Sequence, residues 1–132
     1  MSTYHLFISQ SWRYSDAYDR LLNLLELDTS FSFQSHALPA PHPVVERSDQ
    51  ELEQAIVEQL QACSVLVIMA GVYPTYGKWI DKEIDAAKRL GKVIIAIKPF
   101  GPERISPRVR AAASAECGWS TRHIIGAITL HA

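Results

Sequence analysis

Ser64-Val65-Leu66-Val67-Ile68-Met69 carries five apolar residues in a row, three of them β-branched. No polar residue alternates with them, so the stretch reads as a strand apolar on both faces, the pattern of a parallel sheet covered by helices on each side. Lys92-Val93-Ile94-Ile95-Ala96-Ile97 repeats the pattern. Between the two lies a helical period from Trp79 to Leu90, closed by Gly91 at the position just past a helix end. Strand, helix and strand at this spacing form a βαβ unit with a right-handed crossover.

The same alternation extends in both directions. Tyr4 to Ile8 reads as the first strand, and Ser15 to Leu27 as a helix with Ala17, Tyr18, Leu21, Leu22 and Leu25 along one side. Phe31 to Phe33 reads as a short second strand. His36 to Pro43 holds three prolines in five residues, and proline lacks the donor that a helix or central strand needs, so this is a loop. Ser48-Asp49-Gln50-Glu51 is a capping box opening a helix with Leu52, Ala55, Ile56 and Leu60 on its stripe. Ala70 to Gly77, with two glycines and a proline, reads as a loop, and Pro99 to Pro102 as a turn. A helix from Pro107 to Ala115, a short strand over Cys117 to Trp119, and a last helix capped by Ser120 or Thr121 complete the chain. The expected fold is α/β: one domain over residues 1–132, a parallel sheet with helices on both faces. Ligands of such sheets bind beyond the carboxyl ends of the strands. Here those ends lead into Ser9 to Tyr14, Ala70 to Lys78 and Lys98 to Glu103.

Composition excludes several classes. The 132 residues are 48% apolar and 20% charged, values of a folded globular chain. A net charge of -1 leaves no electrostatic footprint for nucleic acid or an anionic membrane, and neither is expected as a partner. No apolar run approaches the roughly 18 residues that span a bilayer, and Met1 to His5 has no signal-peptide character, so a cytoplasmic location is expected. Two cysteines, Cys63 and Cys117, make no disulfide framework, and none of the five histidines stands at zinc-site spacing, so no metal is expected. Phosphate-binding fingerprints and a nucleophile elbow are missing as well.

One residue breaks the pattern. With Trp79 set at zero and 100° per residue, Leu90, Ala87, Ile80 and Ile84 fall between about 20° and 140°. Asp81, Lys82, Asp85, Lys88 and Arg89 fall on the opposite arc, between about 180° and 300°. Glu83, near 40°, is the charged residue inside the apolar arc. A carboxylate there is costly without water, a partner or a ligand. It either looks into a cleft at the sheet edge or pairs with a lysine or arginine at the border of the stripe. At the same edge, Ser9, Ser11 and Trp12 follow the first strand, and Tyr73, Tyr76 and Trp79 surround the next loop. Hydroxyls can bond a ribose or phosphate and an indole can cover a cleft; the same residues can equally cap a helix or pack.

Phe7-Ile8-Ser9-Gln10-Ser11-Trp12 resembles the opening motif of TIR and TIR-like domains. Lys78-Trp79-Ile80-Asp81-Lys82-Glu83-Ile84 resembles the W-x-x-x-E-[IL] motif of the TIR helix that carries a catalytic glutamate. With Ala70-Gly71-Val72-Tyr73 upstream, the chain is most similar to the TIR-like, signal-producing component of Thoeris anti-phage defence. The resemblance implies a flavodoxin-like fold and NAD+ as substrate rather than bound cofactor. It also implies release of nicotinamide and formation of an ADP-ribose-derived signal, cyclic or conjugated. By the same resemblance, Glu83 is the catalytic position, and Phe7, Ser9, Ser11, Trp12, Tyr76 and Trp79 are substrate-binding positions. Implied partners are NAD+, an acceptor such as an amino acid, an effector protein that receives the product, and further copies of the chain. The loop from His36 to Ser48, with its Glu46-Arg47 pair, occupies the place of a loop that often mediates assembly in this family.

Two other readings stand beside the enzyme. A TIR-like domain can be a non-catalytic interaction module, and a flavodoxin-like domain can bind a nucleotide without chemistry. An adaptor has no need of a carboxylate inside an apolar stripe, and that is the feature that separates them.

Overall fold

The computed structural model describes residues 3–9, 17–36, 49–69, 73–98 and 107–132, and at positions 17, 49, 52 and 73–79 it describes the backbone alone. Five strands, β1 (Tyr4–Ile8), β2 (Phe33–His36), β3 (Val65–Met69), β4 (Val93–Ile97) and β5 (Ala115–Cys117), form one sheet in the order β2-β1-β3-β4-β5. Every pairing is parallel. The helices are α1 (Ala17–Glu26), α2 (Asp49–Gln61), α3 (Tyr73–Arg89), α4 (Pro107–Ala112) and α5 (Thr121–His131). This is the flavodoxin-like arrangement, with the strand order reversing between β1 and β3.

The two-faced strands divide the core in two. Leu6, Ile8, Val65, Val67, Ile95 and Ile97 point to one side, where Leu21 and Leu25 of α1 and Ile124 and Ile128 of α5 cover them. Phe7, Leu66, Ile68, Ile94 and Ala96 point to the other, under Ile56 and Leu60 of α2, Ile80 and Ile84 of α3 and Val109 of α4. Period-2 side chains packed on both faces are the reason β3 and β4 are apolar throughout. The edge strands β2 and β5, covered less completely, carry Gln34, Ser35 and Glu116.

Three boundaries differ from the expectation. The helix expected from Trp79 starts at Tyr73 instead, so the loop assigned to Ala70–Gly77 ends early. Pro74 belongs to the first turn, where its missing N–H has no helical partner to lose and its fixed φ suits the helix. Gly77 lies inside the helix, an unfavourable but tolerated placement. Second, β2 begins at Phe33 rather than Phe31. Asp28 holds the preceding turn, its carboxylate accepting from Ser30 N–H at 3.0 Å and its carbonyl from Phe31 N–H at 3.1 Å. Third, α4 stops at Ala112 and the last strand starts at Ala115, two residues before Cys117. The last helix opens on Ser120, whose Oγ accepts from His123 N–H at 3.2 Å. The proline-rich stretch 37–48, including Ser48 of the capping box and the Glu46-Arg47 pair, lies outside the described residues.

The end of α3 is built as the sequence suggests. Gly91 adopts φ +69°, its N–H reaches Lys88 O at 3.2 Å, and Lys92 N–H reaches Ala87 O at 2.8 Å, the paired bonds of a Schellman cap. A methyl at Gly91 meets no atom within 4 Å, so the cost of replacing it is conformational alone. Gly91→Ala is expected to lower stability by about 1 kcal/mol, read as a shift of the urea midpoint at unchanged slope.

Between β1 and β2, His5 Nδ1 and His36 Nε2 lie 3.0 Å apart and share one hydrogen. Burial, and then the charge of His5, hold His36 below the usual histidine value of 6.5. A histidine depressed in the folded state contributes stability above its unfolded value, and that contribution is lost as pH falls through the folded one. Stability should therefore decline as pH drops below 6.5. His36→Gln should flatten that decline in denaturant titrations run at a series of pH values.

Candidate active site

The carboxyl ends of β1 and β3 meet where the strand order reverses, which is where open α/β sheets bind ligands. Ser9 is the first residue past β1. Its N–H donates to Val67 O of β3 at 2.9 Å, so the backbone at this edge is tied to the neighbouring strand. Glu83 arrives from α3. Ile80, Glu83, Ile84, Ala86 and Ala87 are all fully buried, and they cover one continuous arc of that helix. Asp85, Lys88 and Arg89 are exposed on the opposite side, as the helical period requires.

Ser9 Oγ donates to Glu83 Oε1 at 2.7 Å. Among the described residues, Ser9 and Glu83 are the fully buried polar side chains. A charge-assisted bond of this kind contributes about 1.5–3 kcal/mol, which offsets part of the cost of taking a carboxylate out of water. Around the rim of α3, Asp81, Asp85 and Arg89 are engaged in ion pairs. Arg89 bonds Glu53 of α2 at 2.7 Å. Arg108 of α4 spans Asp81 at 3.1 Å and Asp85 at 2.9 Å. Arg89 thus turns to Glu53, and Glu83 accepts from the Ser9 hydroxyl.

The earlier start of α3 changes the setting of Glu83. It stands ten residues into the helix rather than one turn, about 15 Å along the axis. Backbone positions 76 and 79 precede it on the same helical face, within about 40° of its direction.

The other sequence-named positions divide as follows. Phe7 has no exposed surface; it is a core residue packed with Leu66, Ile68, Ile80 and Ile84. The structure thus places it beneath the site, inside the layer between sheet and helices. Tyr76 and Trp79 belong to α3, described there by backbone alone, and Ser11 and Trp12 lie outside the described residues. The Ser9–Glu83 bond was not foreseen. Its signal was a serine directly after the first strand together with a carboxylate on the inner face of a later helix.

Thiol chemistry finds no support at the two cysteines. Burial pushes Cys63 up to about 11 and Cys117 up to about 11, so both are protonated at neutral pH. Among the described residues, no three or more His, Cys, Asp or Glu side chains are grouped to hold a metal ion. No described helix is long and apolar enough to cross a membrane.

The family comparison bears on this same part of the chain. A family model described as the Thoeris protein ThsB, TIR-like domain, matches residues 7–104, about three-quarters of the chain. The match takes in the end of β1 with Ser9 and the whole of α3 with Glu83. No curated protein matches the chain. Sheet order and family model agree, and the chain belongs to the family of the Thoeris ThsB TIR-like domain.

Proposed function

We propose that the protein cleaves the bond between nicotinamide and ribose in NAD+, with Glu83 as the catalytic carboxylate. It would thereby produce an ADP-ribose-derived signal in anti-phage defence. The observation that carries this reading is a buried carboxylate at the switch point of the sheet, on the inner face of α3, held by the hydroxyl that ends β1. In the reaction the glycosidic C–N bond breaks and its electron pair goes to the ring nitrogen, so nicotinamide leaves neutral. Positive charge develops on the ribose, as in glycoside cleavage. A carboxylate in an apolar setting stabilises that charge strongly, because little water screens it. The ribosyl carbon is then captured by water, which loses a proton, or by a nucleophile of the substrate or of an acceptor such as an amino acid. A separate effector would read the product.

Glu83 is fully covered in this structure, so the carboxylate has to be uncovered before a ribose can meet it. That favours an enzyme that works after a trigger or on self-association. The same burial is the observation behind a second reading, a non-catalytic interaction module in which the Ser9–Glu83 bond is structural. Incubation with NAD+ and chromatographic detection of nicotinamide separates the two. Release supports the enzyme, whereas partner binding that survives a change at Glu83, without release in any state of assembly, supports the module.

A further inference from the structure

We infer that Ser9 is a positioning residue that holds the Glu83 carboxylate in one orientation and in its ionised form. Its effect on turnover rests on the reading of Glu83 as the catalytic group; its hold on Glu83 does not. Sequence reasoning gives Ser9 to the substrate, but the geometry gives its hydroxyl to the protein. A serine carries a single O–H, and here that proton points at Glu83 Oε1 from 2.7 Å. The backbone that carries the donor is anchored, because Ser9 N–H is bonded to Val67 O at 2.9 Å and Ile8 beside it is fully buried. A hydrogen bond donated to a carboxylate favours the charged form, while burial favours the neutral one. A reaction that builds positive charge needs the charged form.

The described elements packed against α3 bring their charges elsewhere. β3 and β4 carry no titratable residue. Arg108 of α4 faces Asp81 and Asp85, and Arg110 faces Glu116. On α2, Glu53 faces Arg89 and Glu58 accepts from Gln54, while Glu51 is exposed. On β1, His5 is bonded to His36. Among the described residues, the Ser9 hydroxyl is a contact by which the end of β1 reaches Glu83.

The test is carbon-13 NMR of the glutamate side-chain carboxyls in the full chain, with the Glu83 signal assigned by its loss in Glu83→Gln. In Ser9→Ala, the Glu83 midpoint should rise by about one pH unit or more; in Ser9→Thr, which keeps the hydroxyl, it should stay close to wild type. Ser9→Cys keeps the shape at slightly larger size but donates weakly, and it is read in place of Ser9→Ala if the latter fails to fold. In turnover of NAD+, loss of the hydroxyl should lower kcat about tenfold or more with KM nearly unchanged, and Ser9→Thr should restore it. An unmoved Glu83 midpoint in the folded alanine or cysteine variant overturns the inference. So does a raised KM at preserved kcat, which would make Ser9 a substrate contact. A wild-type chain that never releases nicotinamide defeats the catalytic reading, and the NMR midpoint still decides whether Ser9 holds Glu83.

Discussion

Glu83→Gln is expected to lower nicotinamide release by at least about a hundredfold while leaving the chain folded and equally or more heat-stable. Both halves follow from the same geometry. The amide keeps the length of the side chain and still offers an oxygen to the Ser9 hydroxyl, so the 2.7 Å contact has a ready substitute. It removes the one property that the proposed reaction uses, a negative charge facing the ribose. It also removes a charge from a fully buried position, which relieves a cost the folded protein carries. A residue kept for function at the expense of stability behaves this way, whereas a carboxylate kept for structure does the reverse. The check is paired: nicotinamide release under conditions where wild type turns over, and thermal unfolding of the same two samples. A large loss of stability in Glu83→Gln would assign Glu83 to the scaffold.

The second large effect concerns Phe7. It is fully buried in the cluster that joins β1 and β3 to α2 and α3. Truncation to alanine should cost about 3–5 kcal/mol, from lost transfer energy and the cavity left behind. Against a typical total of about 5–15 kcal/mol, that is about a fifth or more of the stability of an ordinary domain. Thermal unfolding should fall on the order of 10–20 °C, and Phe7→Leu should recover much of it. The resemblance of the opening motif implies a substrate contact at this position. A Phe7→Ala chain as stable as wild type but with a raised KM would return Phe7 to the substrate.

The fold was legible because its signals are local. Five consecutive apolar residues in β3 and again in β4 require cover on both faces, and α1 with α5 on one side and α2, α3 and α4 on the other supply it. The angular position of Glu83 was equally plain, since a helix as long as α3 repeats its period several times. What escaped was of two kinds. Local punctuation misled at Pro74 and Gly77, where residues that usually mark loops fall within a helix whose first turn accommodates proline. Long-range pairing was legible only as a shared edge: Ser9 and Glu83 are 74 positions apart, and nothing in either local pattern says that the two side chains bond. The same holds for His5 and His36, brought together by the β1–β2 register that sets Phe7 against His36. Sequence periodicity locates faces, and the topology of the sheet decides which faces touch.

The most direct test is mass spectrometry of the products formed when the full chain is incubated with NAD+, beside Glu83→Gln, with and without an amino acid acceptor such as histidine. Where the isolated chain is silent, the same measurement is made on extracts of phage-infected cells expressing each form. A catalytic Glu83 predicts nicotinamide together with a new ADP-ribose species, from wild type and not from Glu83→Gln. The same product from both forms, or intact NAD+ in every sample including the infected cells, would contradict it.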